Sequence, residues 1–155
     1  GYAVGGGLEL AIACDLIVAA ESAQFGLPEP RRGLMADAGG VHGLFRQLPI
    51  KLAMEMILTG QFIGAQRAAD IGLVNWVASD DDLMASAREL ADSIMECSPK
   101  AVQAAKQAVA LGSELTFEEA MVTEFSMFSQ LKESNDFIEG PRAFSEKRAP
   151  KWEGE

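Results

Sequence analysis

The sequence predicts an α/β fold, with an alternating core over residues 1–78 and a helical extension over residues 79–155. Three observations carry this expectation. Up to Ala78, short β-branched or extended runs alternate with helical patterns. From Ser79 onward every segment reads as a helix. Glycines open or close most elements of the first half, whereas Ser and Thr caps open those of the second.

The chain begins "GYAVGGGLELAIACD", in which Leu8, Leu10, Ala11, Ile12 and Cys14 surround one acid, Glu9. This pattern predicts a helix from Gly7 to Cys14, buried on most sides and ended by Asp15. Leu16–Ala20, "LIVAA", has the β-branched character of an inner strand, and "AQFGLPE" at Ala23–Glu29 extends into a segment fixed by Pro28. From Ala38 the pattern turns helical through "AGGVHGLFRQL", "IKLAMEMIL" closed by Gly60, and "GAQRAADIG" with a glycine at each end. "LVNWVA", Leu73–Ala78, reads as one more strand. Ser79 with Asp82 opens a helix through about Cys97, Ser98-Pro99 one through about Leu111, and Thr116 with Glu119 a third through about Lys132. A last helix from about Asn135 to Phe144 precedes the mixed-charge tail "KRAPKWEGE".

A chain of 155 residues buries roughly 70% of the surface its unfolded form exposes, enough for one core with a helical appendage. Its apolar runs are broken by charge or glycine well before the ~20 residues that a membrane helix needs, and no basic-then-apolar leader opens it. A cytoplasmic location is therefore expected. The net charge of −10 argues against a nucleic-acid partner, since phosphate neutralisation requires a basic face. A phosphorylated small ligand needs only a few local cations and is not excluded by it. Cys14 and Cys97 lie far apart without metal-ligand spacing and read as buried free thiols. Because Gly1 stands in the middle of a motif, the chain is expected to be the C-terminal portion of a longer protein.

The cluster Gly5-Gly6-Gly7 lacks the Lys-Ser/Thr ending of a P-loop, and Leu10 stands where a dinucleotide fingerprint has its third glycine. What remains is a helix start without Cβ atoms. It is either a tight turn for close packing or a place where free amides and the positive end of the helix dipole meet an oxygen gaining negative charge. Glu9, alone among apolar residues, lies either on a narrow solvent face or in a cavity. Glu29 follows Pro28, and two carboxylates converging on one space can hold a water and exchange protons with a substrate. His42 reads as a packed or partly exposed helix residue, "DDD" at 80–82 as a helix start, and Met54, Met56, Met121 and Met127 as core or subunit-contact filler. Arg31 and Arg32 could meet phosphate, but read first as a solvated loop.

"GYAVGGGLELAIACD", "AQFGLPEPRRGL", "AGG", "AMEMILTG", "AADIGLVNWV" and "AFSEKRAPKW", in this order and spacing, resemble the enoyl-CoA hydratase/isomerase superfamily, the crotonases. The resemblance covers nearly the whole chain and only the C-terminal part of that family. It implies the C-terminal part of the crotonase-type ββα superhelix, followed by a helical trimerisation region. The family's second oxyanion amide and much of its CoA-binding surface belong to the portion outside this chain.

By that resemblance the Gly6 N–H is one of two donors to the thioester oxygen of an acyl-CoA, and Glu9 and Glu29 match the two glutamates of the hydratase pattern. The implied reaction is addition or removal of water across the α,β double bond. It implies no metal or redox cofactor, because CoA is carried by the substrate. Phe144 and Lys147 match positions near the CoA, and a homotrimer or hexamer is implied. "EPRRGLMADAGGVHGL" and the tail look most like the carnitine-related branch of the family. Ala36-Asp37 replaces the usual Pro-Gly, which puts the Asp37 carboxylate near the acyl pocket or out in solvent. Other crotonase reactions, namely isomerisation, thioester hydrolysis and decarboxylation, and a non-catalytic assembly role remain as alternatives, since a fold does not fix chemistry. The pair of glutamates favours hydration.

Overall fold

The computed structural model describes residues 1–154, so Glu155, the last residue of the expected tail, lies outside the described residues. It divides into two compact units, Gly1–Glu89 and Leu90–Glu155. The division falls within helix α5 (Leu83–Met95).

In the first unit the order is β1 (Tyr2–Val4), α1 (Gly6–Ile12), β2 (Val18–Ala20), β3 (Gln24–Gly26), a 3-10 turn (Glu29–Arg32), α2 (Gly40–Gln47), α3 (Ile50–Thr59), β4 (Ile63–Gly64), α4 (Ala65–Asp70) and β5 (Trp76–Ala78). One sheet has the order β1-β3-β4 and a second pairs β2 with β5. β1 runs parallel to β3 with Val4 opposite Gly26, and the Gly5 N–H extends that pairing to the Gly26 carbonyl at 2.9 Å. Leu8, Ile12, Phe25, Leu27, Leu44 and Met56 meet in one apolar core, burial that supplies the main stabilising force. Leu8 and Leu44 are fully buried, which fixes α1 against α2.

Several elements depart from expectation for local reasons. Helix α1 stops at Ile12, short of Asp15, and Cys14 falls in the turn beyond it. Cys97 likewise lies two residues beyond the last residue of α5 (Leu83–Met95). Both thiols are therefore exposed rather than buried. The strands β2 and β5 keep only three residues each, and β1 and β4 were not legible because two or three residues show no period. Glu29 does not end an extended segment; it starts the 3-10 turn, whose C-cap Gly33 has φ 71°.

The second unit holds the end of α5, then α6 (Pro99–Gly112), α7 (Phe117–Val122), α8 (Ser126–Glu133) and α9 (Asn135–Ser145). The Ser98 cap accepts from the Ala101 N–H at 3.2 Å, and Thr116 with Glu119 forms the expected capping box. The helix expected from Thr116 to Lys132 is two helices. At the break, Thr123 and Phe125 are extended, and the Gln107 side chain takes over a first-turn amide by accepting from the Met127 N–H at 2.9 Å. Asp136, buried among the helices, accepts from the Ser98 hydroxyl at 2.6 Å and the Glu153 N–H at 2.9 Å. Arg148 grips both Glu139 oxygens, at 2.6 and 2.9 Å, and Trp152 donates to the Glu96 carbonyl at 2.8 Å, so the tail is strapped onto α9 and the end of α5. No helix among the described residues is long and apolar enough to cross a membrane.

Candidate active site

Gly5 is the N-cap of α1, with φ 56° and ψ −128°, a conformation open chiefly to glycine. Its carbonyl accepts from the N–H groups of Leu8 and Glu9 at 2.9 and 3.0 Å, while those of Gly6 and Gly7 have no acceptor among the described residues. Gly6 and Gly7 are exposed. Two unpaired amides thus stand at the positive end of α1, in exposed residues.

Both glutamates approach this cluster. Glu29 Oε1 lies 2.8 Å from the point that a Cβ on Gly5 would occupy, and Glu9 Oε2 lies 3.9 Å from the corresponding point on Gly6. Each side chain reaches the cluster from a different element: Glu9 from the first turn of α1, Glu29 from the first residue of the 3-10 turn that follows β3. The parallel pairing of β1 with β3 delivers the two starts at the same end of the sheet.

Their surroundings differ. Glu9 Oε1 accepts from the Gly40 N–H, the first amide of α2, at 3.0 Å. Glu29 Oε2 is buried and has no hydrogen-bond partner among the described residues. A buried polar atom without a partner is costly and is usually retained for a task or met by water or ligand. Beside the pair lies an apolar pocket of about 290 Å³ lined by Leu27, Pro30, Met35, Ala36, Val41 and Ile57. Such a wall suits an acyl chain, and Ala36 also packs against the Gly40 position.

Other expected residues stand apart. Asp37 is exposed, on the segment that joins this pocket to α2. Arg31 and Arg32 are exposed, and Arg31 Nε donates to the Thr59 carbonyl at 2.8 Å, closing the end of α3. His42 is exposed, with its ring edge-on to Phe45 at 6.2 Å. Of the four methionines, Met56 is buried, Met127 is half-buried, and Met54 and Met121 are exposed. Phe144 and Lys147 belong to the second unit: Phe144 is 86% exposed, and Lys147 is the sole non-glycine residue with positive φ among the described residues, at 55°. Sequence reasoning missed the part of Gly40; its signal was the doubled glycine of "AGG", which read only as punctuation.

The enoyl-CoA hydratase/isomerase family model matches residues 1–155. The chain is 44% identical over 158 residues to the carnitinyl-CoA dehydratase of Proteus mirabilis, covering 99% of this chain and 60% of that protein. The carnitinyl-CoA dehydratase of Salmonella typhi matches at the same identity and coverage, 44%, 99% and 60%. An enoyl-CoA hydratase crystal structure from Mycobacterium tuberculosis superposes with TM-score 0.95 and 40% identity, over 100% of this chain and 62% of that one. A putative short chain enoyl-CoA hydratase from Novosphingobium aromaticivorans gives TM-score 0.94 and 43% identity, over 100% and 61%. The chain spans about 60% of the length of the curated relatives it matches.

Proposed function

The chain belongs to the enoyl-CoA hydratase/isomerase family, and from that premise we propose that it carries both proton-handling carboxylates and one oxyanion donor of a hydro-lyase acting on an acyl-CoA thioester. The observation that carries this reading is the convergence of Glu9 and Glu29 on the glycine cluster, with unpaired amides at Gly6 and Gly7.

In the hydration direction, Glu9 takes a proton from a water held between the carboxylates as its oxygen bonds to the β-carbon. The double-bond electrons move toward the thioester, whose oxygen gains negative charge and is met by the Gly6 N–H. Glu29, entering the step in its protonated form, then gives its proton to the α-carbon on the same face as the water, and the proton taken up by Glu9 returns to Glu29 through solvent before the next turnover. Dehydration is the reverse path. A thioester α-proton is labile only when the enolate oxygen is stabilised, so both carboxylates depend on the amide. CoA arrives with the substrate, and this chemistry asks for no further cofactor.

The relatives named carnitinyl-CoA dehydratase, together with the exposed Asp37 that follows the pocket residue Ala36 in sequence, support a polar or cationic acyl group. Lys147, a point charge two residues beyond the end of α9, suits a CoA phosphate, and Phe144 suits the adjoining apolar part. The exposure of Phe117, Met121 and Val122 on α7, at 75%, 69% and 84%, supports burial of this face in a homotrimer or hexamer.

The test uses the full-length protein and follows loss of the enoyl-thioester absorbance, comparing wild type with Glu9→Gln and Glu29→Gln. Both variants are expected to lose at least about 100-fold in kcat. Unchanged rates in both on every acyl-CoA tried, carnitine-derived ones included, would sink the two-carboxylate mechanism.

A further inference from the structure

Gly40 occupies the first position of α2, after Gly39, whose φ of 108° is a conformation that side chains rarely adopt. A Cβ on Gly40 would lie 3.0 Å from both Cγ and Oε1 of Glu9 and 2.7 Å from Cβ of Ala36. The last approach is closer than real Cβ atoms come, and Ala36 is buried, so it cannot swing away. A bare Cα is what lets the first turn of α2 close onto Glu9 and donate its N–H at 3.0 Å.

The consequence is directional. With Oε1 engaged by α2, the carboxylate plane of Glu9 is fixed, and Oε2 is the oxygen left on the Gly6 side. A glutamate has three side-chain torsions, and without that anchor its oxygens would sample several staggered arrangements. We propose that Gly40 is a positioning residue, whose N–H and missing side chain together aim Glu9 at the reacting water. This rests on the reading of Glu9 as the general base and deepens it: the start of α2 becomes part of the catalytic apparatus without touching substrate. Ala36 meets the same position from the other side, so two contacts, one with Glu9 and one with the core, define the space.

Those two contacts allow a positioning role to be separated from a packing role. In the full-length protein, Gly40→Ala is expected to lower kcat about 100-fold, the scale of an ångström-size misplacement, with KM changed less than threefold or so. Adding Ala36→Gly removes the clash with the core but leaves the one with Glu9, so the melting temperature should recover while kcat stays low relative to Ala36→Gly alone, which carries whatever the pocket wall loses. This double variant also carries the test if Gly40→Ala alone does not fold. In a Glu9→Gln background, Gly40→Ala should cost no further activity.

Recovery of kcat together with stability in the Ala36→Gly/Gly40→Ala protein, or a full multiplicative loss in the Glu9→Gln background, overturns the positioning role and leaves Glu9 as base untouched. If Glu9→Gln itself keeps the wild-type rate, the role of Glu9 and that of Gly40 are overturned together.

Discussion

Glu29 Oε1 and the backbone of Gly5 occupy adjoining space with no room for a side chain between them: a Cβ on Gly5 would stand 2.8 Å from that oxygen. The glycine is required twice, by its positive φ and by the carboxylate against it. Gly5→Ala should therefore destabilise the protein by about 1–3 kcal/mol through backbone strain and also push Glu29 off the cluster. Thermal unfolding and hydratase kinetics on the same variant should both fall. Loss of stability with full activity would show that the Glu29 position is not critical.

Glu29→Gln separates function from stability in the opposite sense. The amide keeps the shape of the carboxyl group and replaces a buried oxygen that has no hydrogen-bond partner among the described residues. The expected outcome is a melting temperature equal to or above wild type alongside a kcat reduced by at least about 100-fold. A matched fall in both would mean that Glu29 is a structural residue.

In the second unit, Ser98 serves two partners with one hydroxyl. It accepts from the Ala101 N–H to cap α6 and donates to Asp136 at 2.6 Å. Ser98→Ala should cost about 2–3 kcal/mol, the sum of a cap and a hydrogen bond to a charged group. Denaturant unfolding measures it, and a loss under about 0.5 kcal/mol, the usual range for an inert surface change, would contradict the double role.

Acid should loosen the tail of the same unit. Burial alone would raise the Asp136 carboxyl, but the Ser98 hydroxyl, the N–H groups of Glu153 and Gly154 and the Lys100 charge together hold it below its ordinary value. The Arg148 guanidinium, with the Lys151 N–H, lowers Glu139 from 4.5 to about 2. Both groups bind protons more readily in the unfolded chain, so their contribution is fully present above the ordinary carboxylate range and is lost as pH falls toward their folded values. Trp152 fluorescence against Trp76→Phe as a reference background should report release of the tail between about pH 4.5 and 2. Release that is unaffected by Arg148→Met would assign the transition to other groups.

The helices were legible wherever a cap and a periodic face coincided, as at Ser98 and Thr116, because a cap is local chemistry written in two or three residues. The break between α7 and α8 was not, since it depends on Gln107, nearly 20 residues away, reaching the Met127 amide. The short strands β1 and β4 owe their existence to the partner β3 rather than to any pattern of their own. Local rules left the glycine cluster open between turn and oxyanion site, and residue spacing could not decide whether Glu9 faced a cavity or solvent. The positions of Glu9 and Glu29 beside the cluster became visible only with the parallel pairing in place, and the contact of Gly40 with Glu9 spans 31 residues of sequence.

The parallel pairing of β1 with β3 has a consequence for how such a protein changes over time. The ladder, not the carboxylates, holds Gly5 against Gly26, three residues before position 29, through backbone groups common to every amino acid except proline. Either acid can therefore be exchanged for another side chain while the frame that presents it survives. A lineage built on this frame can try new reactions one substitution at a time, with each failure sparing the scaffold for the next attempt.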